Sequence, residues 1–133
     1  MPTIVRKLSR SSVMEVRREI LHSVTWQMRS SLWSPPTDVY ETEEAFVVRV
    51  EIAGMLEDEF EIAFENNVLM ITGYRSDRLE HRAYHQMEIR FGKFATSVGL
   101  ARPVDVDHAT AQYTDGFLTV TFPKAKPNQV RVE

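Results

Sequence analysis

Large apolar residues recur at every second position through much of the chain. Phe46, Val48, Val50 and Ile52 enclose Arg49 and Glu51, while Phe60, Ile62 and Phe64 alternate with Glu61, Ala63 and Glu65. A period of two sends one set of side chains into a core and the other toward water, so each run predicts a half-buried strand. Asn66-Asn67 lies between Phe64 and Val68, and asparagine tolerates the positive φ of a tight hairpin turn. Residues 60–64 and 68–72 therefore read as a hairpin, with Gly73 at its end. Met87, Ile89 and Phe91 predict a further strand, broken at Gly92, and Phe94, Thr96, Val98 and Leu100 predict the next. Ala109, Ala111 and Tyr113 alternate ahead of the turn signal Asp115-Gly116, and Phe117 to Phe122 predicts a last strand that Pro123 stops. Roughly seven or eight short strands, with no helical period between residues 37 and 123, predict an all-β sandwich or barrel.

The chain before this body is patterned differently. Ser12-Val13-Met14-Glu15 fits a capping box. Val13, Val16, Ile20, Val24, Met28 and Leu32 then recur at spacings of three and four, which predicts an amphipathic helix with Arg17, Arg18 and Arg29 off its stripe. Ser34-Pro35-Pro36 breaks the pattern, because paired prolines neither continue a helix nor donate to a sheet ladder. The expected division is an amphipathic arm at 1–34, a sandwich at 35–125 and an extended tail at 126–133. The stripe needs cover. Its own sandwich or a second copy supplies it, or part of it stays available to other proteins. Two glutamates on the polar side weigh against a helix lying on a membrane.

Charge sharpens that division. Residues 1–33 carry six basic and two acidic side chains, a net of +4, and residues 34–133 carry ten basic and 17 acidic, a net of −7. An acidic body with its aromatics at alternating core positions does not suit nucleic acid. Of the 133 residues 43% are hydrophobic and 26% charged, which allows a real core. None is cysteine, which excludes disulfides, thiolate nucleophiles and Cys-ligated metals. No apolar run approaches the ~20 residues of a membrane span. No secretory signal is evident, so the expected compartment is the cytoplasm.

Catalytic signals are weak. His81 and His85 are four apart, but in a polar stretch rather than on a helix, and no HExxH, GxSxG or phosphate-cradling GxxxxGK[ST] is present. Glu57-Asp58-Glu59 reads as a solvated loop. No enzyme activity, metal or cofactor is expected.

Five pieces in order resemble the α-crystallin domain of the small heat shock proteins, prokaryotic type, over about residues 35–125. Pro36-x-Asp38-Val39-Tyr40 resembles the domain opening, and Ile52-Ala53-Gly54-Met55 stands at the family's Leu/Ile-x-Gly turn. Asn67-x-Leu69-x-Ile71-x-Gly73 with Arg75 resembles the strand ending in Gly-Glu-Arg, with Tyr74 replacing Glu. Glu88-x-x-x-Gly92-x-Phe94 resembles Glu-Arg-x-x-Gly-x-Phe. Ala111-x-x-x-Asp115-Gly116-Phe117-Leu118, then Pro123-Lys124, resembles Ala-x-x-x-Asn-Gly-Val-Leu.

The resemblance implies an immunoglobulin-like β-sandwich. It also implies an ATP-independent holdase that works as a homo-oligomer, binds partly unfolded clients and leaves refolding to ATP-dependent chaperones. Val13, Met14, Val16, Ile20, Val24, Met28 and Leu32 are then the client and assembly contacts, with methionines as adaptable ones. In prokaryotic members a loop strand exchanges between protomers; residues 75–84 are the candidates, anchored by Leu79 and Tyr84, although that stretch is short for such a loop. Val130-Arg131-Val132 resembles the tail motif that docks in a groove of another dimer. Val130 and Val132 point the same way on an extended strand. The groove is expected from the 60–64 and 94–100 strands, with Phe60, Ile62, Phe64, Val98 and Leu100 as its candidates. Two departures touch the interface: Phe94-Ala95-Thr96 lacks the family's Phe-x-Arg, and Leu100-Ala101 replaces Leu-Pro. A cochaperone-type sandwich that docks on one folded partner is the alternative, and the arm and tail argue against it.

Overall fold

The computed structural model describes residues 4–7, 32–56 and 58–125, and within 4–7 it describes the backbone. Among these residues the chain forms eight strands: β1 (Ile4–Lys7), β2 (Thr37–Glu41), β3 (Ala45–Glu51), β4 (Phe60–Glu65), β5 (Val68–Arg75), β6 (Gly92–Gly99), β7 (Thr110–Thr114) and β8 (Phe117–Pro123). A 3-10 turn, Val106–His108, precedes β7. The strands form two antiparallel sheets, one in the order β1-β7-β8-β3-β2 and the other β4-β5-β6.

The predicted alternation explains the layers. Phe46, Val48 and Val50 of β3 pair in register with Phe122, Val120 and Leu118 of β8, and all six are buried. They meet Phe60, Ile62, Phe64, Leu69, Ile71 and Phe94 of the other sheet in one apolar cluster. Side chains at odd and even positions leave a strand on opposite faces, so these residues were bound to share a core once the sheets faced each other. Asn66 and Asn67 (φ 52° and 61°) turn the β4–β5 hairpin, and Asp115 and Gly116 (φ 54° and 82°) turn β7 into β8. Those paired positive φ values are the backbone that two-residue hairpins with the right twist require.

Two contacts set the flanks of the sandwich. The Phe60 and Tyr113 rings lie 5.4 Å apart, which places β4 beside β7 on one flank. The Thr37 and Thr96 hydroxyls lie 3.3 Å apart, which places β2 beside β6 on the other.

Three expectations change. The strand expected at Met87, Ile89 and Phe91 does not form: residues 76–91 contain no strand, because β6 begins at Gly92 and no strand among the described residues lies beside 87–91. The helix expected to run through Leu32 does not include it, and its other positions lie outside the described residues. Leu32 is irregular and Trp33 forms an isolated parallel bridge with Phe94. β1 lies within the expected arm, in a four-residue stretch where the alternation was not apparent.

Candidate assembly edges

The interior is closed, and apart from Tyr74 on β5 the accessible apolar groups are on the edge strand β2 and in loops. Leu79 is 72% exposed and Met87 and Ile89 are each 65% exposed, while Tyr84, Val39 and Tyr40 are about half exposed. Leu79, Tyr84, Met87 and Ile89 lie in the irregular segment 76–91. Val39 and Tyr40 lie on β2, the last strand of the five-stranded sheet, whose outer edge has no ladder partner among the described residues. An unpaired edge presents a row of free N–H and C=O groups to any extended chain that reaches it.

Side-chain hydrogen bonds shape the segment itself. At its start, Ser76 Oγ donates to Glu59 Oε1 (3.4 Å) and Arg78 is ion-paired with the same oxygen (3.3 Å). Further on, Arg82 is paired with Asp77, Arg82 Nε donates to the Tyr84 hydroxyl (2.8 Å), and that hydroxyl donates to Asp77 Oδ2 (3.1 Å). Partial desolvation opposes ionisation of Asp77. The Leu79 N–H, the Tyr84 hydroxyl and the Arg82 charge outweigh it and hold this carboxyl below the usual carboxylate range. Leu79 and Tyr84 are thus close in sequence and both accessible, with Tyr84 fixed by its hydroxyl.

The groove candidates separate. Phe60, Ile62, Phe64 and Leu100 are buried in the main core and Val98 packs against it. β5 lies between β4 and β6, so the 60–64 and 94–100 strands are opposite edges of one sheet and cannot wall a single groove. The alternating pattern identified core positions, and alternation carries no information on which strands are neighbours. The flank beside β4 is instead completed by β7. There the Tyr113 hydroxyl donates to Ile52 O (2.8 Å) and accepts from Met55 N (3.3 Å). β1 pairs along the outer edge of β7 from Ile4↔Tyr113 to Lys7↔Thr110, so this edge already accepts an added strand.

Of the arm positions, Leu32 is half-buried, beside a cleft of about 240 Å³ that Asp58, Glu59, Glu61, Tyr74 and Lys93 also line. Val13, Met14, Val16, Ile20, Val24 and Met28 lie outside the described residues, as do Val130 and Val132 of the tail. His81 and His85 are exposed, and among the described residues no three His, Asp or Glu side chains are grouped to hold a metal. No helix among the described residues is long and apolar enough to cross a membrane.

Sequence reasoning missed Trp33. It is 7% exposed, although it precedes the Pro35-Pro36 break. Its N–H donates to Lys93 O (3.3 Å), its C=O accepts from Ala95 N (3.0 Å), and its indole Nε1 donates to Gly92 O (3.2 Å). The signal available was a large aromatic beside a proline break, one position past the end of the predicted stripe at Leu32.

A two-sheet antiparallel sandwich that keeps most of its accessible apolar groups on an edge strand and an unpaired inter-strand segment is the immunoglobulin-like class expected above. A sequence profile of the Hsp20/alpha crystallin family matches residues 38–133. Heat shock protein 16.0 from Schizosaccharomyces pombe has the same fold, with a TM-score of 0.65 at 27% identity over 75% of this chain and 94% of that one. Small heat shock protein C4 of Rickettsia felis is 31% identical over 77% of this chain, and the match spans 64% of that relative's length. The probable 15 kDa heat shock protein of Leptospira interrogans is 29% identical over 89% of this chain and 94% of its own. The chain belongs to the Hsp20/alpha crystallin family.

Proposed function

We propose that this protein is an ATP-independent holdase that binds partly unfolded proteins and prevents their aggregation. The observation that carries the reading is the family match over residues 38–133 on a sandwich most of whose accessible apolar groups lie on the β2 edge strand and in segment 76–91. Unfolding clients expose apolar surface, and accessible apolar groups without a shaped pocket suit many clients. The work is noncovalent, needs neither cofactor nor catalysis, and takes place in the cytoplasm. Clients pass to ATP-dependent chaperones for refolding.

The chain acts as a homo-oligomer built from dimers. Residues 76–91 exchange between protomers, and Met87 and Ile89, which share one face when extended, add along the partner's β2 edge beside Val39 and Tyr40. Arm residues 1–34 and tail residues 126–133 flank the sandwich and link dimers. Val130 and Val132 dock on the flank where Phe60 of β4 faces Tyr113 of β7; β1 pairs with that edge within the chain, so the tail takes its place there.

Light scattering of a heat-aggregating client tests the reading. Near-stoichiometric protein without ATP is expected to suppress the rise; no suppression at any ratio or temperature refutes it. Size in solution tests the assembly: changing Val130 and Val132 to Ala is expected to reduce a large oligomer to dimers, and an unchanged mass removes the tail from the linkage.

A further inference from the structure

Arg75 and Trp33 meet where three pieces of chain converge. Segment 76–91 leaves β5 at Arg75 and returns to β6 at Gly92, and these two residues are partners in the β5–β6 register. Arg75 Nε donates to Arg90 O (2.9 Å) and Nη1 to Ala53 O (3.2 Å). Its guanidinium carbon stands 4.7 Å from the centroid of the Trp33 ring and 5.3 Å from that of Phe91. Trp33 holds Gly92 O through its indole and the β6 edge through its backbone, and its ring lies against Phe94, with 5.5 Å between centroids. The carbonyls of residues 90 and 92 are therefore held by two side chains that stack on each other.

We propose that Trp33 and Arg75 form one clasp, so that unseating the end of the arm also loosens the root of segment 76–91. The physical reason is shared contact. If Trp33 leaves, the guanidinium loses one of its two aromatic faces and Gly92 O loses its donor. If Arg75 lets go of Arg90 O, Phe91 and Gly92 are no longer fixed against the indole. The clasp has a seated and an unseated arrangement, and anything that favours one at the arm shifts the other at the segment by the same factor. A ligand of the arm thereby reaches the exchange segment without touching it. The exchange half of this inference rests on the dimer proposed above; the clasp itself does not.

The test uses the full chain with Trp26→Phe, which leaves Trp33 as the single tryptophan. Two readouts are taken within one chain: acrylamide quenching of Trp33 and amide hydrogen exchange at residues 92–95. Arg75→Gln removes the stacked charge and the guanidinium donors and is expected to raise both readouts, amide exchange by about tenfold, as loss of a charged hydrogen bond implies. Arg75→Lys keeps the charge without the fork and falls between. Arg78→Gln, whose partner among the described residues is Glu59, leaves both unchanged and serves as the control. Far-UV circular dichroism confirms that each variant is folded. If Arg75→Gln leaves Trp33 quenching at the parent value while residues 92–95 exchange faster, the coupling is wrong. If the coupling holds, subunit exchange of isotope-labelled protein is expected to accelerate about tenfold in Arg75→Gln. A chain that proves monomeric removes only this last arm and the proposed dimer, and the first two readouts still decide the clasp.

Discussion

Gly73 of β5 is a site of close approach between β4, β5 and β6. It pairs in register with Phe60, and a Cβ built on it would stand 2.6 Å from the backbone oxygen of Glu59 and 2.6 Å from Cζ of the Phe94 ring. Neither neighbour yields easily. Glu59 O already accepts the Tyr74 N–H at 3.1 Å, and Phe94 is 1% exposed and wedged against Trp33. One added methyl in a packed site costs about 1–3 kcal/mol. Disturbing the Tyr74–Glu59 hydrogen bond adds about 1 kcal/mol. Gly73→Ala is therefore expected to destabilise by ~3 kcal/mol, or roughly 12–20 °C in melting temperature for a domain of this size. Chemical denaturation followed by circular dichroism measures it, at fixed protomer concentration because assembly shifts apparent stability. A double-mutant cycle locates the cause. In a Phe94→Leu background the ring atoms nearest the new methyl are gone, so the added cost of Gly73→Ala is expected to fall by about 1–2 kcal/mol without vanishing, since Glu59 O remains. A Gly73→Ala chain within ~0.5 kcal/mol of the parent, or strict additivity in the cycle, would show that the close approach does not constrain the fold.

Tyr113→Phe removes a hydroxyl that bridges Ile52 O and Met55 N and leaves both without it, so a loss of ~1–3 kcal/mol is expected in the same assay, with oligomer mass unchanged. The hydrogen bond from Lys124 Nζ (2.8 Å) holds the Glu41 carboxyl below its ordinary range. Its stabilisation is therefore present above the unfolded carboxylate pKa and lost as pH falls through the folded one; an NMR titration of Glu41 should move up toward the ordinary value in Lys124→Gln. Met87→Asp with Ile89→Asp puts charge on the face proposed to add along β2, and dimers are expected to dissociate at micromolar protein by analytical ultracentrifugation while the melting curve of the sandwich holds.

The sandwich was legible because its determinants are local. Phe46, Val48 and Val50, or Leu118, Val120 and Phe122, announce a buried face through spacing alone, and Asn66-Asn67 and Asp115-Gly116 announce the turns through backbone chemistry. What spacing cannot supply is neighbourhood. Phe60 and Val98 carry the same apolar signal, yet β5 separates their strands, while Tyr113, the residue that faces Phe60, shares no local pattern with it. Met87 and Ile89 alternate as well as Ile62 and Phe64 do and still form no strand, because strandhood needs a partner edge and sequence says nothing of which edge is free. Trp33 failed for the opposite reason. Its fate is set by Gly92, Phe94 and Arg75, some 40 to 60 positions away, and a helical stripe nearby offered a simpler local explanation.

The contrast between core and edge also bears on how tightly the proposed dimer holds. The core is self-sufficient: Phe60, Phe94, Phe122 and Leu118 are at most 2% exposed, and Trp33, Phe64 and Tyr113 at most 8%, without any second chain. Leu79, Met87 and Ile89 by contrast keep 65–72% of their surface. Full burial of such a side chain is worth about 1.5–3 kcal/mol, so covering the remainder yields roughly 1–2 kcal/mol each. Six of them in a symmetric pair contribute on the order of 6–12 kcal/mol, against an association cost of about 4–15 kcal/mol. Apolar contact alone therefore leaves the dimer near balance, and the backbone ladder along β2 must supply the rest. Such a dimer responds to modest changes in temperature or concentration, while the sandwich, whose core owes nothing to the partner, stays folded. That separation is what a holdase needs, because subunits must be released to meet clients without themselves becoming clients.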